Sequence, residues 1–178
     1  MTEKPVRLDI CIIAAMTPSG VIGRSGTLPW RMPSDLQRFR HLTLGHSVVM
    51  GYKTFAEIIA RRGAPLTERI NYVVTNHHVD QVRQSGATPL RTLYGGVADT
   101  WLNAKEYYII GGRSLYEEAL SRADRMLLTI IEADVVGDVY FPTIDYSQWH
   151  LVRETEITRF DPRDEHPSRF KEYERIKR

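Results

Sequence analysis

Leu8-Asp9-Ile10-Cys11-Ile12-Ile13-Ala14-Ala15, then Gly20-Val21-Ile22-Gly23, then Leu28-Pro29-Trp30, then Pro33-Ser34-Asp35-Leu36 with Phe39: this succession decides the fold class. The first block is an almost unbroken apolar run, the pattern of a strand buried on both faces. It enters a glycine-punctuated loop that ends at Pro29-Trp30, and Pro33 suits the first turn of a helix. Asp35 and Phe39 stand four apart on that helix, so both side chains lie on one face. A carboxylate beside an aromatic on a core-facing helix is costly to bury, and the pair reads as a grip for a flat, nitrogen-rich ligand. An acid in the first turn also complements the helix dipole, and that plainer reading stands beside the first.

Outward from this block, strands alternate with helices. Leu8–Ala15 reads as a strand and Pro33–Leu44 as a helix. Ser47–Met50 is a short strand, followed by a helix from Lys53 to Ala60. Arg69–Thr75 is a strand that stops at Asn76-His77-His78, and Ala87–Arg91 a short one. Val97–Ala104 reads as helix, Tyr107–Ile110 as strand, Ser114–Ser121 as helix and Arg125–Glu132 as strand. Gly137–Pro142 reads as a loop. Trp149–Thr158 and Phe170–Ile176 are two strands with no helix between them. This order predicts an α/β fold with a mainly parallel sheet covered on both faces and an antiparallel strand at the C-terminal end. Ligands of such sheets sit at the carboxyl ends of the strands.

Composition narrows the class. A length of 178 residues, with 42% hydrophobic and 26% charged, suits one domain over residues 1–178 with a substantial core. The net charge of +2, from 24 basic and 22 acidic residues, is too balanced for a nucleic-acid partner. Cys11 is the only cysteine, which excludes an internal disulfide, and its apolar strand marks it as a packed thiol. The longest apolar run, Ile10 to Met16, is too short to cross a membrane. A cytoplasmic protein without a membrane partner is expected.

Several further groups can carry chemistry. In Tyr107-Tyr108-Ile109-Ile110-Gly111-Gly112-Arg113-Ser114-Leu115-Tyr116 a strand enters two glycines and then a helix. Adjacent glycines allow a close backbone approach to a ligand, and they are also a simple way to turn a corner. The dinucleotide fingerprint G-x-G-x-x-G is absent. Gly45, Gly51, Lys53 and Thr54 lie near one another but lack P-loop spacing, which excludes an NTP-hydrolysing site and leaves a cation and a hydroxyl at a helix start. Arg69 can hold a carboxylate in a bidentate pair or stand solvated. Thr75-Asn76-His77-His78 offers donors for a phosphate or ribose. The histidines show no metal-ligand spacing, so no metal is expected. No nucleophile elbow is present. Arg169–Arg178, in which Lys and Arg alternate with Glu172 and Glu174, reads as a solvated edge strand.

Taken in order, Ile13-Ala14-Ala15, Gly20-Val21-Ile22-Gly23, Leu28-Pro29-Trp30, Pro33-Ser34-Asp35-Leu36-x-x-Phe39, Val49-Met50-Gly51-x-Lys53-Thr54-Phe55, Ile110-Gly111-Gly112, Leu115-Tyr116 and Gly137-Asp138-x-Tyr140-Phe141-Pro142 resemble the bacterial-type dihydrofolate reductases over nearly the whole chain. The resemblance implies a three-layer fold with an eight-stranded mixed sheet flanked by helices. It implies hydride transfer from NADPH to C6 of 7,8-dihydrofolate and protonation at N5. It implies a catalytic set of Asp35, Thr129, Leu28 and Trp30, with Asp35 on the pterin N3 and 2-amino group as the only ionisable group of the site. Ile13, Leu36, Phe39, Ile58, Leu66 and Ile110 would line the folate cleft, and Arg69 would pair with the glutamate α-carboxylate. Ala15 and Ile22 would hold the nicotinamide, with Tyr116 beside it.

The same resemblance places the rest of the cofactor. Gly111-Gly112 would form the family's cis peptide, and Arg113, Ser114 and Leu115 would cradle the pyrophosphate with Lys53 and Thr54. Thr75, Asn76 and Arg91 would face the adenosine 2′-phosphate, and Gly51, Tyr52 and Val74 complete the cofactor-binding set. Residues Met16 to Met32 would be the active-site loop that closes to exclude water. Dihydrofolate and antifolate inhibitors are the implied partners, and a monomer the implied state. The chain departs from the family pattern at Tyr52 (commonly basic), at Asn76 (commonly Arg or Ser) and in a longer link from Ile58 to Arg69. A pyrimidine reductase of riboflavin synthesis and a non-catalytic nucleotide- or folate-binding module are the alternatives. Asp35, Phe39 and Arg69 favour folate over both.

Overall fold

The apolar strand at the start of the chain becomes the middle of the molecule. In the computed structural model, which describes residues 9–94 and 106–176, β1 (Asp9–Met16) lies between β6 (Glu106–Ile109) and β7 (Arg125–Ile131), parallel to both. The other strands of this sheet are β3 (Ser47–Gly51), β4 (Ile70–Val74), β5 (Thr88–Leu90), β9 (Trp149–Glu154) and β10 (Ser168–Arg175). The order is β5-β4-β3-β6-β1-β7-β10-β9, and β10 alone is reversed, running antiparallel to β7 and β9. The mixed, mainly parallel, eight-stranded sheet implied by the sequence is therefore present.

Alternation along each strand divides the core into two layers. Ile12, Val49, Ile109, Met126 and Leu128 pack on one face with Leu115, Tyr116 and Ala119 of α4 (Arg113–Ala119). Cys11, Ile13, Val48, Met50, Val73 and Leu127 pack on the other with Phe39 and Leu42 of α1 (Pro33–Thr43) and Phe55, Ile58 and Ile59 of α2 (Tyr52–Arg62). Helices thus cover both faces, the arrangement that parallel strands require. The Cys11 thiol is pushed up to about 12, chiefly by burial, so it remains an unreactive core group.

Two expectations are corrected and one element is added. Gly137–Pro142 is more than a loop: β8 (Val139–Tyr140) pairs antiparallel with β2 (Val21–Gly23). Runs this short carry no readable periodicity, and only their mutual pairing defines them. A short helix, α3 (Val79–Gln84), follows β4 and has too few turns to show an apolar stripe. The Arg169–Arg178 stretch is no edge strand, because β10 is paired on both sides and β9 forms the edge. Phe170 and Tyr173 are buried, and the charges of β10 are met by neighbours, Arg169 by Glu132 and Glu154, Lys171 by Glu154 and Glu172 by Arg125. The expected helix at Val97–Ala104 lies outside the described residues.

Candidate active site

Parallel strands point their carboxyl ends to one edge of the sheet, and several of the singled-out residues lie there, whereas Arg69 precedes β4 at its amino end. The ends of β1, β3, β4, β5 and β6 deliver Ala15, Gly51, Val74, Leu90 and Ile110 to that edge. The Asp35 helix begins beside this edge, after the chain has passed through Leu28 and Trp30.

Asp35 is half-buried in the first turn of α1. Thr129 is buried on β7, opposite Ala15 of β1, and its side chain acts on the Asp35 carboxyl. Burial raises the Asp35 carboxyl above its ordinary range, while the Thr129 hydrogen bond and the Arg38 charge pull it down and Asp164 pushes it up. Asp35 is therefore not the only ionisable group of the site. Arg38, one turn along α1, donates from Nη1 to Thr129 Oγ1 at 3.4 Å.

Asp164 closes the start of the helix from the β9–β10 loop. It accepts from Ser34 N at 3.0 Å and from Ser34 Oγ at 2.6 Å. A carboxylate on the free N–H groups of a first turn satisfies orphan donors and the helix dipole together. No residue before Pro33 does this by side chain, since the N-cap is Met32. Arg31 and Glu165 add a latch on the same loop, with Arg31 N donating to Glu165 Oε2 at 2.8 Å and Glu165 N to Arg31 O at 3.0 Å.

A cleft of about 170 Å³ opens over Asp35, lined in part by Leu28, Trp30, Met32, Leu36 and Arg61. Leu36 is 55% exposed although apolar, which suits a wall awaiting a ligand. Trp30 is buried, and its Nε1 has no hydrogen-bond partner among the described residues, so a donor is held ready at the site. Phe39, Ile58, Leu66 and Ile110 lie in the same core layer as Ile13 and continue the apolar wall below.

Arg69 stands at the far end of α1. Its Nη1 donates to Thr43 Oγ1 at 3.1 Å, its Nε to Thr67 O at 2.9 Å, and its guanidinium carbon lies 5.9 Å from the Phe39 ring centre. Thr43 follows Asp35 by eight residues, about 12 Å along the axis at ~1.5 Å per residue. Burial, then Arg62 and Arg40, hold the Arg69 guanidinium below its ordinary value, so three arginines make this end positive. The loop carrying Leu66 and Arg69 is pinned by buried Asn71, which accepts from Leu66 N at 3.1 Å and donates to Leu66 O at 2.8 Å and Arg69 O at 2.9 Å.

A second cradle adjoins β1. The Gly111–Gly112 peptide is cis, and Gly111 has a φ of +127°. Gly51 N donates to Gly111 O at 2.8 Å. A Cβ on Gly111 would come within 3.3 Å of Thr54 Oγ1 and 3.4 Å of the Tyr116 hydroxyl, so a side chain there would close the space. Tyr116 is buried and donates to Ile13 O at 3.0 Å. Leu115 is buried, Ser114 exposed, and Arg113 Nη1 donates to Tyr140 O at 3.2 Å. Ile22 of β2 packs on the Tyr116 layer, and Ala15 packs with Trp30.

The adenosine-side residues lie further along the edge. Tyr52 stacks on His78 with ring centres 3.7 Å apart, and its hydroxyl donates to Gln81 Oε1 at 2.9 Å. Thr75 is buried and its Oγ1 accepts from His78 N at 3.2 Å. Lys53, Asn76 and Arg91 are exposed. Sequence reasoning had missed Arg38, Asp164, Asn71, Arg61 and the Tyr52–His78 stack. Arg38 was within reach of it, three residues from Asp35 on the same helical face. Asp164 was not, because no local pattern links it to Ser34.

A family model for dihydrofolate reductase matches residues 9–175. Dihydrofolate reductase from Bacillus subtilis is 37% identical over 166 residues, covering 93% of this chain and 94% of that protein. The HdrB dihydrofolate reductase of Haloferax volcanii is 37% identical over 153 residues, 83% and 78% of the two chains. The type 3 enzyme of Salmonella typhimurium is 41% identical over 133 residues, 75% and 78%. Among solved structures, dihydrofolate reductase from Enterococcus faecalis complexed with NADP(H) and RAB-propyl superposes with a TM-score of 0.81 at 27% identity, covering 95% of this chain and 97% of the other. With a family model matching residues 9–175 and relatives 37–41% identical over most of its length, the chain belongs to the dihydrofolate reductase family.

Proposed function

We propose that this reductase uses NADPH to reduce 7,8-dihydrofolate to 5,6,7,8-tetrahydrofolate, with hydride delivered to C6 and a proton to N5. The observation that carries the reading is the half-buried Asp35, opening on a cleft walled by Leu28, Trp30, Met32 and Leu36. NADPH, when bound, supplies the hydride. The narrow space over Gly111, bounded by Thr54 and Tyr116, fits an extended phosphate-bearing cofactor that needs close backbone approach. Gly51, Tyr52, Lys53, Thr54, Val74, Thr75, Asn76, Arg91 and Arg113 to Leu115 would hold it along the sheet edge, with Ala15, Ile22, Ile110 and Tyr116 at the nicotinamide end.

Asp35 accepts two hydrogen bonds from the amidine-like edge of the pterin, a match of two donors to two oxygens. Its raised carboxyl takes up a proton at milder acidity than a solvated aspartate, which favours N5 protonation through water. Thr129 fixes the carboxyl plane. Leu28, Trp30 and Leu36 exclude bulk water over the ring, which strengthens each of these contacts. Phe39, Ile58 and Leu66 hold the middle of the substrate, and Arg69 takes the glutamate carboxylate at the positive end. We read residues 1–178 as one domain acting as a monomer in the cytoplasm.

The test is loss of NADPH absorbance in the presence of dihydrofolate, for the native protein and Asp35→Asn. Rapid loss in the native protein, reduced by about 10²–10⁴-fold in the variant, is the expected result. No loss in the native protein would sink the reading. Equal rates would keep the activity and remove Asp35 from it.

A further inference from the structure

The β9–β10 loop holds a buried carboxylate that the proposed chemistry does not use. Arg159, Arg163 and Glu165 of this loop are exposed, whereas Asp164 is 3% exposed. A carboxylate taken out of water needs donors, and both oxygens of Asp164 have them. Oδ1 accepts from Ser34 N at 3.0 Å, and Oδ2 accepts from Ser34 Oγ at 2.6 Å and from Asp161 N at 3.1 Å. The Asp161 bond ties the loop to itself. The other two converge on one residue, itself buried, which immediately precedes Asp35.

A helix ordinarily receives such a bond from its own N-cap side chain, on the N–H of its second or third residue. The N-cap of α1 is Met32, whose side chain makes none, and Pro33 has no N–H to offer. Ser34 is the second helical residue, so Asp164 does the work of the cap from 130 residues away. Two bonds to one residue fix more than one bond does. The amide bond sets where the first turn begins, and the hydroxyl bond sets how that turn is rotated about its axis. Successive side chains of a helix stand about 100° apart, so the direction of Ser34 determines that of Asp35. Just before it, Arg31 is held through both its N and its O by Glu165. Arg31, Met32 and Asp35 all line the cleft.

We propose that Asp164 is a positioning residue for the proposed reduction: by holding Ser34 at amide and hydroxyl together, it sets the direction in which the Asp35 carboxyl meets the substrate. This rests on the reading of Asp35 as the catalytic carboxyl. Asp164 acts through the first turn of α1 and not by touching the ligand. A misplacement of about 1 Å at a reacting centre can slow a reaction by about 10²-fold, and loss of one of the two bonds, with the other kept, gives part of that effect.

The experiment compares the native chain with Ser34→Ala, Asp164→Asn and the double variant. Ser34→Ala removes the hydroxyl bond and keeps both the amide bond and the Asp164 charge, so it alters geometry without altering charge near Asp35. Single-turnover oxidation of NADPH by dihydrofolate should slow by about tenfold in each single variant. The double variant should be about as slow as the slower single one, because both changes break the same link. The Kd for NADPH should stay in place. A merely structural role would lower Tm and leave the single-turnover rate of the folded protein unchanged, and that result overturns the proposal, as do effects that multiply in the double variant. Should Asp164→Asn fail to fold, Ser34→Ala decides alone. A second readout needs no turnover. The diaminopyrimidine antifolate trimethoprim offers a carboxylate two parallel donors, and its calorimetric Kd should rise by about tenfold in Ser34→Ala. An unchanged Kd overturns the proposal. A native protein that does not reduce dihydrofolate, with a trimethoprim Kd that still rises in Ser34→Ala, refutes the proposed function alone. Normal native turnover with unchanged rates in both single variants refutes the role of Asp164 alone.

Discussion

The Tyr116 hydroxyl donates to the Ile13 carbonyl oxygen at 3.0 Å, tying the helix after Gly111-Gly112 to the central strand. Tyr116 is buried and its phenol is pushed up by burial first and then by the charge of Asp35, so it stays a neutral donor. Tyr116→Phe removes this bond and leaves the Ile13 carbonyl without it. A loss of about 1 kcal/mol is expected, read as a Tm lower by about 2–4 °C. Single-turnover NADPH oxidation should slow by about tenfold, because the ring loses its anchor beside the proposed nicotinamide site. Unchanged stability and rate would show that the bond positions nothing.

Asp35 should make the protein less stable at neutral pH. Burial raises its carboxyl above the 3.8 of an ordinary aspartate. Between that value and the raised one, the folded chain binds more protons than the unfolded chain, so stability falls as pH rises through the window. The loss is complete once the pH has passed the raised value. Asp35→Asn, which does not titrate, should therefore melt above the native protein at neutral pH while losing activity. The gap should close as the pH approaches 3.8. Thermal melts across that range check it, and a variant that melts lower at neutral pH would contradict it.

Asn71 is expected to govern the folate-entry loop at a distance from the chemistry. Asn71→Ala removes the side-chain bonds to the backbone of Leu66 and Arg69 and strands buried groups. A loss of about 2–3 kcal/mol, or a Tm lower by about 5–10 °C, should result. The KM for dihydrofolate should rise severalfold with kcat little altered, because Arg69 and Leu66 shift while Asp35 does not. Steady-state kinetics with a denaturation curve separates the two effects.

Gly137 should tolerate no side chain. A Cβ there would lie 2.2 Å from Val21 Cγ1 and 2.7 Å from the Gly23 carbonyl oxygen. Gly137→Ala must therefore push β8 away from β2, at about 1–3 kcal/mol. Cleavage by a protease between Met16 and Pro33 should become faster, and turnover should fall. Equal cleavage rates would show that the ribbon yields without releasing that segment.

What could be read beforehand followed from local pattern. The unbroken apolar run of β1, the proline at the start of α1 and the same-face placement of Asp35 and Phe39 are all written within one turn or one strand, and each appears in the structure. The position of β10 was misread because charge alternation looks like solvation. Its charges instead meet Arg125 and Glu154 on the adjoining strands and Glu132 just past the end of β7. The β2–β8 ribbon, the Asn71 bonds and the Asp164 carboxylate depend on partners distant in sequence or on turns with no period, so no window of residues contains them. At the site, Asp35 and Thr129 were singled out by the resemblance, but the charges of Arg38 and Asp164 around Asp35 were not foreseen, since a charge acts through space.

Ser34 and Asp164 are 130 residues apart in the chain, and β10 is inserted between β7 and β9. A ribosome therefore releases α1, with Asp35 in its first turn, long before it has synthesised the carboxylate that completes that turn. Between the synthesis of Ile131, which ends β7, and that of Ser168, which begins β10, the nascent protein carries strands β1 to β7 with one side of the sheet open. Closure waits for a contact of long sequence separation, which is slow to form and leaves an unpaired edge exposed. A chain that stalls before Asp164 therefore has α1 and Asp35 without the carboxylate that caps the helix.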